Sequence, residues 1–161
     1  MAAKNEELKA LYNQIKGRYP LILQHASIVA YKWLNDNSEV IRQLNIDQLN
    51  SGEYFTGERI QDGYSEQWGN ERVIKGKQVK FVDLNFTGDF QGSIQAIPQF
   101  NGSRASVKVT TPSAKFRRLT QLFPDGILGL TAENANAVGW MIAPIVRGDM
   151  ANYLGNAKYY S

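Results

Sequence analysis

An α+β domain is the fold that this chain of 161 residues predicts, and three observations lead there. Apolar residues recur at helical spacing over the first 45 positions and again after Thr111. Asn101-Gly102, a strong hairpin signal, stands between two runs of strand-forming residues. A glycine-punctuated aromatic segment separates the helical part from the hairpin. The expected organisation is a single domain: a helical N-terminal part over 1–45, a long ordered loop over 46–80, a small antiparallel sheet with C-terminal helices over 81–155, and a tail over 156–161.

Asn5 can cap the first helix, whose opening turn carries Glu6 and Glu7 beside the positive end of the helix. Leu8, Leu11, Tyr12 and Ile15 then form one apolar stripe. Gly17 and Pro20 predict a break or kink, with Pro20 opening a second helix over 21–34. Ile22, Ala26, Val29 and Trp33 share a face of it, flanked by Leu23, Ala30 and Leu34, so burial against several elements is expected. Asn35-Asp36-Asn37 reads as a turn. Ser38 reads as the cap of a short third helix that buries Val40, Ile41 and Leu44.

Over 46–80 the periodicity loosens. Gly52, Gly57, Gly63, Gly69 and Gly76 interrupt a segment that carries Tyr54, Phe55, Tyr64 and Trp68. It is too aromatic for a linker and too broken for long elements, so an ordered wandering loop is expected. Loops of this length in compact domains tend to be functional or to meet a partner. These four aromatics are therefore candidates for a subunit interface, with burial in the chain's own core the competing reading.

The stretch Phe81–Ile94 is the hinge of the chain. Leu84 and Phe86 alternate with Asp83 and Asn85, which predicts a half-buried extended segment. Thr87-Gly88-Asp89 predicts a turn, and a single helical turn after it places Phe90 and Ile94 on one side. Two strands follow, 93–100 and 105–111, with Pro98 suited to an edge strand. Thr111 and Pro112 predict the start of a helix that buries Phe116, Leu119, Leu122 and Phe123. Pro124-Asp125-Gly126 predicts its end. Thr131 caps a last helix with Ala135, Val138, Met141, Ile142 and Ile145 at helical spacing, kinked or split at Pro144.

The chain has no cysteine, which excludes disulfides, thiolate-held zinc, iron–sulfur clusters and thiol catalysis and fits a reducing compartment. His25 is the only histidine, so a histidine triad for a metal is impossible, and an ordinary hydrogen-bonded helix residue is expected there. Neither a phosphate-binding glycine loop ending in Lys-Ser/Thr nor a Gly-x-Ser-x-Gly elbow occurs. The N-terminal run lacks the apolar core of a signal peptide, and no apolar run spans a membrane. The expectation is a soluble, unsecreted protein with no membrane contact, no cofactor, no metal and no enzymatic activity. Net charge is +3, unevenly spread. Arg72, Lys75, Lys77 and Lys80 lie between Glu71 and Asp83 without an acid among them, and Arg104, Lys108, Lys115, Arg117 and Arg118 fall in an acid-free run from Phe90 to Pro124. Each is a solvated face when taken alone. Facing one way together, they attract phosphate.

One spacing resembles a known family. Leu49, Gly52, Gly57, Ile60 and Tyr64-Ser65 precede a basic stretch; Val82, Leu84 and Thr87-Gly88-Asp89-Phe90-x-x-Ser93-Ile94 follow; then comes Ile127-Leu128-Gly129-Leu130-Thr131-x-Glu133-Asn134. This is similar to the tail-completion, or neck, proteins of tailed bacteriophages, above all the version in phages of Bacteroidetes. The likeness covers 46–140, and its most specific part is Thr87, Gly88, Asp89, Phe90, Ser93 and Ile94. Members of the family more often carry a basic residue or tyrosine where Gln91 and Gly92 stand, and a fuller Tyr-Ser-Pro motif where this chain has Tyr64-Ser65-Glu66.

The resemblance implies a non-enzymatic virion protein, made in the host bacterial cytoplasm, that forms a sixfold or twelvefold homo-oligomeric ring in the head-to-tail connector. Its partners are then the portal, other neck or tail proteins, and packaged double-stranded DNA held non-specifically in the channel. Lys75, Lys77, Lys80, Arg104, Lys108, Arg117 and Arg118 become candidates to face that DNA, and Tyr54, Phe55, Tyr64, Trp68, Tyr159 and Tyr160 to meet neighbouring subunits. Two other classes stay open: a soluble nucleic-acid-binding module, and a metal-dependent nuclease built on carboxylate pairs such as Asp83 with Asp89 or Glu58 with Asp62.

Overall fold

Helix α1 runs unbroken from Ala2 to Asp36, straight through the site where a kink is expected from sequence. Pro20 removes one i→i−4 hydrogen bond, but its position on the helix is exposed, so no buried group is left unpaired. In this computed structural model, which describes residues 2–60, 63–85, 87–123 and 126–156, the elements after α1 are α2 (Ser38–Asn50), α3 (Glu66–Ile74), α4 (Asp89–Gly92), β1 (Gln95–Phe100), β2 (Ala105–Thr110), α5 (Lys115–Leu122) and α6 (Ala132–Asn156). The architecture is mixed α+β in one domain, the class expected from the sequence. No helix among the described residues is long and apolar enough to cross a membrane.

β1 and β2 pair antiparallel from Gln95↔Thr110 to Phe100↔Ala105. The loop between them is closed by Asn101, whose Oδ1 accepts from Ser103 N and Arg104 N, with Gly102 at φ +92°. α1 and α2 lie against this ribbon, and two apolar clusters result. The first gathers Ile46, Leu49, Tyr54, Ile60, Val82, Phe90, Ile94 and Ile127. The second gathers Leu34, Ile41 and Val138, with Trp33, Val107, Leu130 and Ile142 packed on it. α2 joins the clusters because Leu49 belongs to the first and Ile41 to the second, and both are fully buried.

Several elements depart from expectation. α2 starts at Ser38 rather than after it and runs on to Asn50, and Val40 and Leu23 are exposed. The segment expected to be loop contains α3. Its sequence lacks an apolar stripe because the helix is not held by one: its only buried residue is Arg72. Asp83–Asn85 is not extended. Asp83 turns inward and Leu84 takes φ +56°; Phe86 lies outside the described residues. α5 begins at Lys115, because Ser113 Oγ accepts from Lys115 N while Thr111 Oγ1 accepts from Ser113 N. Leu122 is exposed, as are Ala135, Met141 and Ile145 on α6. Thr131 does cap α6, accepting from Asn134 N at 3.2 Å. α6 continues unbroken through Pro144, whose position, like that of Pro20, is exposed. The expected turn at Pro124-Asp125, the residue Asp62 and the tail from 157 onward, with Tyr159 and Tyr160, lie outside the described residues.

Candidate functional site

Arg72 organises the centre of the molecule, although sequence reading places it in a basic stretch. It is only 2% exposed, and each of its three guanidinium nitrogens donates within the chain. Nε donates to the Gln78 carbonyl at 2.8 Å, Nη1 to the Asn85 carbonyl at 3.2 Å and Nη2 to Asp83 Oδ2 at 2.7 Å. Its guanidinium lies over the Tyr64 ring, 4.3 Å from the centroid.

Asp83 is the acceptor that Arg72 shares with the residues around it. Besides Arg72, its carboxylate accepts from Gln78 Nε2 (2.8 Å), Tyr64 Oη (2.8 Å) and Asn85 N (2.8 Å). Its own N–H donates to Tyr64 Oη, and its carbonyl accepts from Gln91 Nε2 at 3.0 Å. Burial alone pushes the Asp83 carboxyl up, but the hydrogen bonds from Gln78, Asn85 and Tyr64 and the Arg72 charge together hold it below the ordinary carboxylate range. For Tyr64 burial dominates, and with the neighbouring carboxylate it pushes the phenol up to about 12, against the pull of the Asp83 N–H and of Arg72. This network explains the left-handed Leu84. A non-glycine residue at positive φ costs roughly 1–2 kcal/mol, and bonds on either side, at Asp83 and Asn85, hold it there. Tyr64 is therefore a structural residue as much as a surface one.

Above this floor opens a cavity of about 550 Å³ between α3, the central stretch and α5. Val82, Leu84 and Phe90 form its base, Trp68 one wall, and Leu119, Leu122 and Phe123 the other; Lys115 and Arg118 stand among the lining residues. Thr87 and Gly88 contribute from the turn. Gly88 sits at φ +84°, Thr87 Oγ1 donates to Asp89 Oδ2 at 2.7 Å, and Lys115 Nζ reaches the same oxygen at 3.2 Å. These partners hold the exposed Asp89 carboxyl below its usual range. Phe90 and Ile94 are buried below, and Ser93 Oγ ties the turn to Phe90 O and Thr111 Oγ1.

Three groups of sequence candidates thus meet: Tyr64 and Trp68 from the expected interface set, the Thr87-Gly88-Asp89-Phe90 turn, and Arg118 from the basic set. Lys75, Lys77, Lys80, Arg104, Lys108 and Arg117 do not line the cavity, and Arg104 stands in the hairpin loop next to Ser103, whose carbonyl accepts from Ser27 Oγ on α1. Tyr54, expected at an interface, is buried in the first cluster. Phe55 is partly exposed and covers Gly126 and Gly129, and an added Cβ at Gly126 would run into its ring. Asp83 and Asp89 face different partners, and no group of three metal-ligating side chains occurs among the described residues. Sequence reading missed Arg72 and Gln91 as buried polar residues, and with them the half-buried Gln78. The one available signal was Asp83-x-Asn85, the spacing at which an Asp side chain accepts from the backbone two residues on.

The arrangement suits recognition: an apolar bowl that can take two or three side chains of a partner, with cations at its edge. No family model matches this chain, and no characterised protein or solved structure is significantly similar to it.

Proposed function

We propose that this protein is a structural subunit that works by assembling with copies of itself, as the ring-forming piece of a phage head-to-tail connector, joining portal to tail around the DNA channel. The observation that carries the reading is surface left uncovered. The chain exposes 10993 Å², whereas a compact monomer of 18.1 kDa exposes ~8,100 Å². Much of it is apolar and sits on two long helices, including Tyr12, Tyr19, Trp140 and Met141. Exposed apolar surface on that scale marks contacts with other proteins. The cavity rimmed by Lys115 and Arg118 is a second surface of this kind, and the Thr87–Ile94 run that carries the family likeness forms its turn.

Mass measurement of the purified protein, alone and mixed with portal, tests this. A closed oligomer that docks on portal is the expected result; a monomer absent from purified virions would sink it. One observation favours a second reading, a nucleic-acid-binding module: Trp68 is 51% exposed and lines the same cavity as Lys115 and Arg118, a pairing of aromatic and cation suited to stacking a base. A monomer with tight, salt-sensitive DNA binding, abolished by Trp68→Ala, would favour that reading instead.

A further inference from the structure

The ribbon of β1 and β2 has two edges, and its register says which backbone groups point out of each. Asn101 N donates to the Arg104 carbonyl, so 101 and 104 belong to the hydrogen-bonded set of pairs. In an antiparallel ladder such pairs alternate with pairs that exchange no bond. The bonded pairs are therefore Gln99 with Ser106, Ile97 with Lys108 and Gln95 with Thr110. The residues between them, Ala96, Pro98 and Phe100 on β1 and Ala105, Val107 and Val109 on β2, turn their N–H and C=O groups out of the ribbon.

The two edges differ. On β1 the middle outward residue is Pro98, which has no N–H to offer. α2 packs on that strand, and Arg42 Nε donates to the Ile94 carbonyl just before it. On β2 the outward row is complete, three N–H and three C=O groups over about 14 Å. Among the described residues nothing pairs with them. Unpaired backbone groups are rarely shut away from water, so this edge is open. The side chains of Ala105, Val107 and Val109 pack on the second cluster, which holds the strand in place.

We infer that the outer edge of β2 receives an extended segment of another protein as a third strand. A row of alternating donors and acceptors is matched by one kind of partner, a polypeptide in β conformation. Charge narrows the choice. Lys108 lies on the face away from the second cluster, exposed and without an ion pair among the described residues. An incoming strand with a carboxylate beside Lys108 gains a cross-strand pair. A second copy fits less well. Its β1 edge is interrupted by Pro98, and pairing β2 with itself about Val107 sets the two Lys108 side chains diagonally across from each other, with no acid in either strand. Strand addition of this kind does not depend on the ring proposed above and holds for a monomer as well.

The probe is a short fluorescein-labelled peptide that alternates threonine and valine about a central glutamate, and amide hydrogen exchange of the whole chain is the readout. Without peptide, the amides of Ala105, Val107 and Val109 are expected to exchange fast and those of Ser106, Lys108 and Thr110 slowly. At saturating peptide the first three are expected to slow about tenfold or more. Val107→Pro removes an outward donor and leaves the ladder to β1 intact, as Pro98 does across from it, and is expected to abolish binding. Lys108→Glu is expected to weaken binding about fivefold and to shift preference to a lysine-centred peptide. Slow exchange at all three positions in dilute, monomeric protein would show the edge already covered and overturn the inference. Protection that appears only as the protein self-associates would give the edge to a second copy and overturn the choice of partner. No binding, or binding indifferent to both variants, would overturn it too. If circular dichroism shows Val107→Pro unfolded, Lys108→Glu and the exchange pattern decide.

Discussion

Two polar contacts of similar length reach across this chain, and their surroundings are opposite. Arg72 Nη2 and Asp83 Oδ2 stand 2.7 Å apart with side chains 2% and 9% exposed. His25 Nε2 and Asp149 Oδ2 stand 2.5 Å apart with side chains 32% and 43% exposed. The first is one strand of a net in which Gln78, Tyr64, Asn85 and Gln91 take up the remaining donors and acceptors of Asp83. The second has one companion, the Tyr153 ring stacked 4.3 Å from the imidazole. Length says little about energy; what decides is whether a lost partner can be replaced by water. At Arg72 it cannot, so the centre of the molecule is specified by side chains. Between α1 and α6 water is at hand, and it can take the place of either partner.

The sharpest way to break that comparison is at its buried end. Arg72→Met leaves the Asp83 carboxylate buried without its cation and is expected to lower unfolding free energy by about 3–5 kcal/mol, measured by urea denaturation; a change below ~1 kcal/mol would put both contacts in the same class. Tyr64→Phe removes the hydroxyl that donates to Asp83 Oδ1 and accepts from Asp83 N, with an expected loss of about 1–3 kcal/mol. It also carries a pH signature. Because the Tyr64 phenol is raised in the fold, its contribution is complete below its ordinary value near 10 and is lost as pH rises toward about 12. Asp83 works the other way: its depressed carboxyl stabilises above the ordinary carboxylate range and stops doing so as pH falls through its lowered value. Thermal melts across pH are expected to lose most of the alkaline decline in Tyr64→Phe and to keep the acidic one. The smallest effect is at the exposed end: His25→Ala is expected to cost no more than ~1 kcal/mol at neutral pH. A loss as large as that of Arg72→Met would mean that α1 and α6 depend on this contact alone.

Much of the fold around these two contacts was legible in advance, and what was not has a common cause. The hairpin, the turn that buries Phe90 and Ile94, and the cap at Thr131 depend on residues within a few positions of one another, and each is where local pattern places it. α3 was missed because a helix held by one buried arginine shows no apolar period. The two prolines mislead because a lost backbone bond is costly only where solvent cannot reach it. Within the cavity, Tyr64, Trp68, the Thr87–Phe90 turn and Arg118 each stood out from sequence. That they share one bowl did not, since their separations along the chain exceed any local period. Arg72 was misread because a cation in a run of cations looks solvated until its carboxylate is found eleven residues on.

By itself the order of amino acids determined the α+β class, the hairpin about Asn101-Gly102 and the Thr87–Ile94 turn, because short-range sterics and spacing suffice for these. Only the tertiary structure decided which cation is buried and that three distant stretches make one cavity. Those outcomes hang on access to water, which is a property of the packed chain and of no single segment within it.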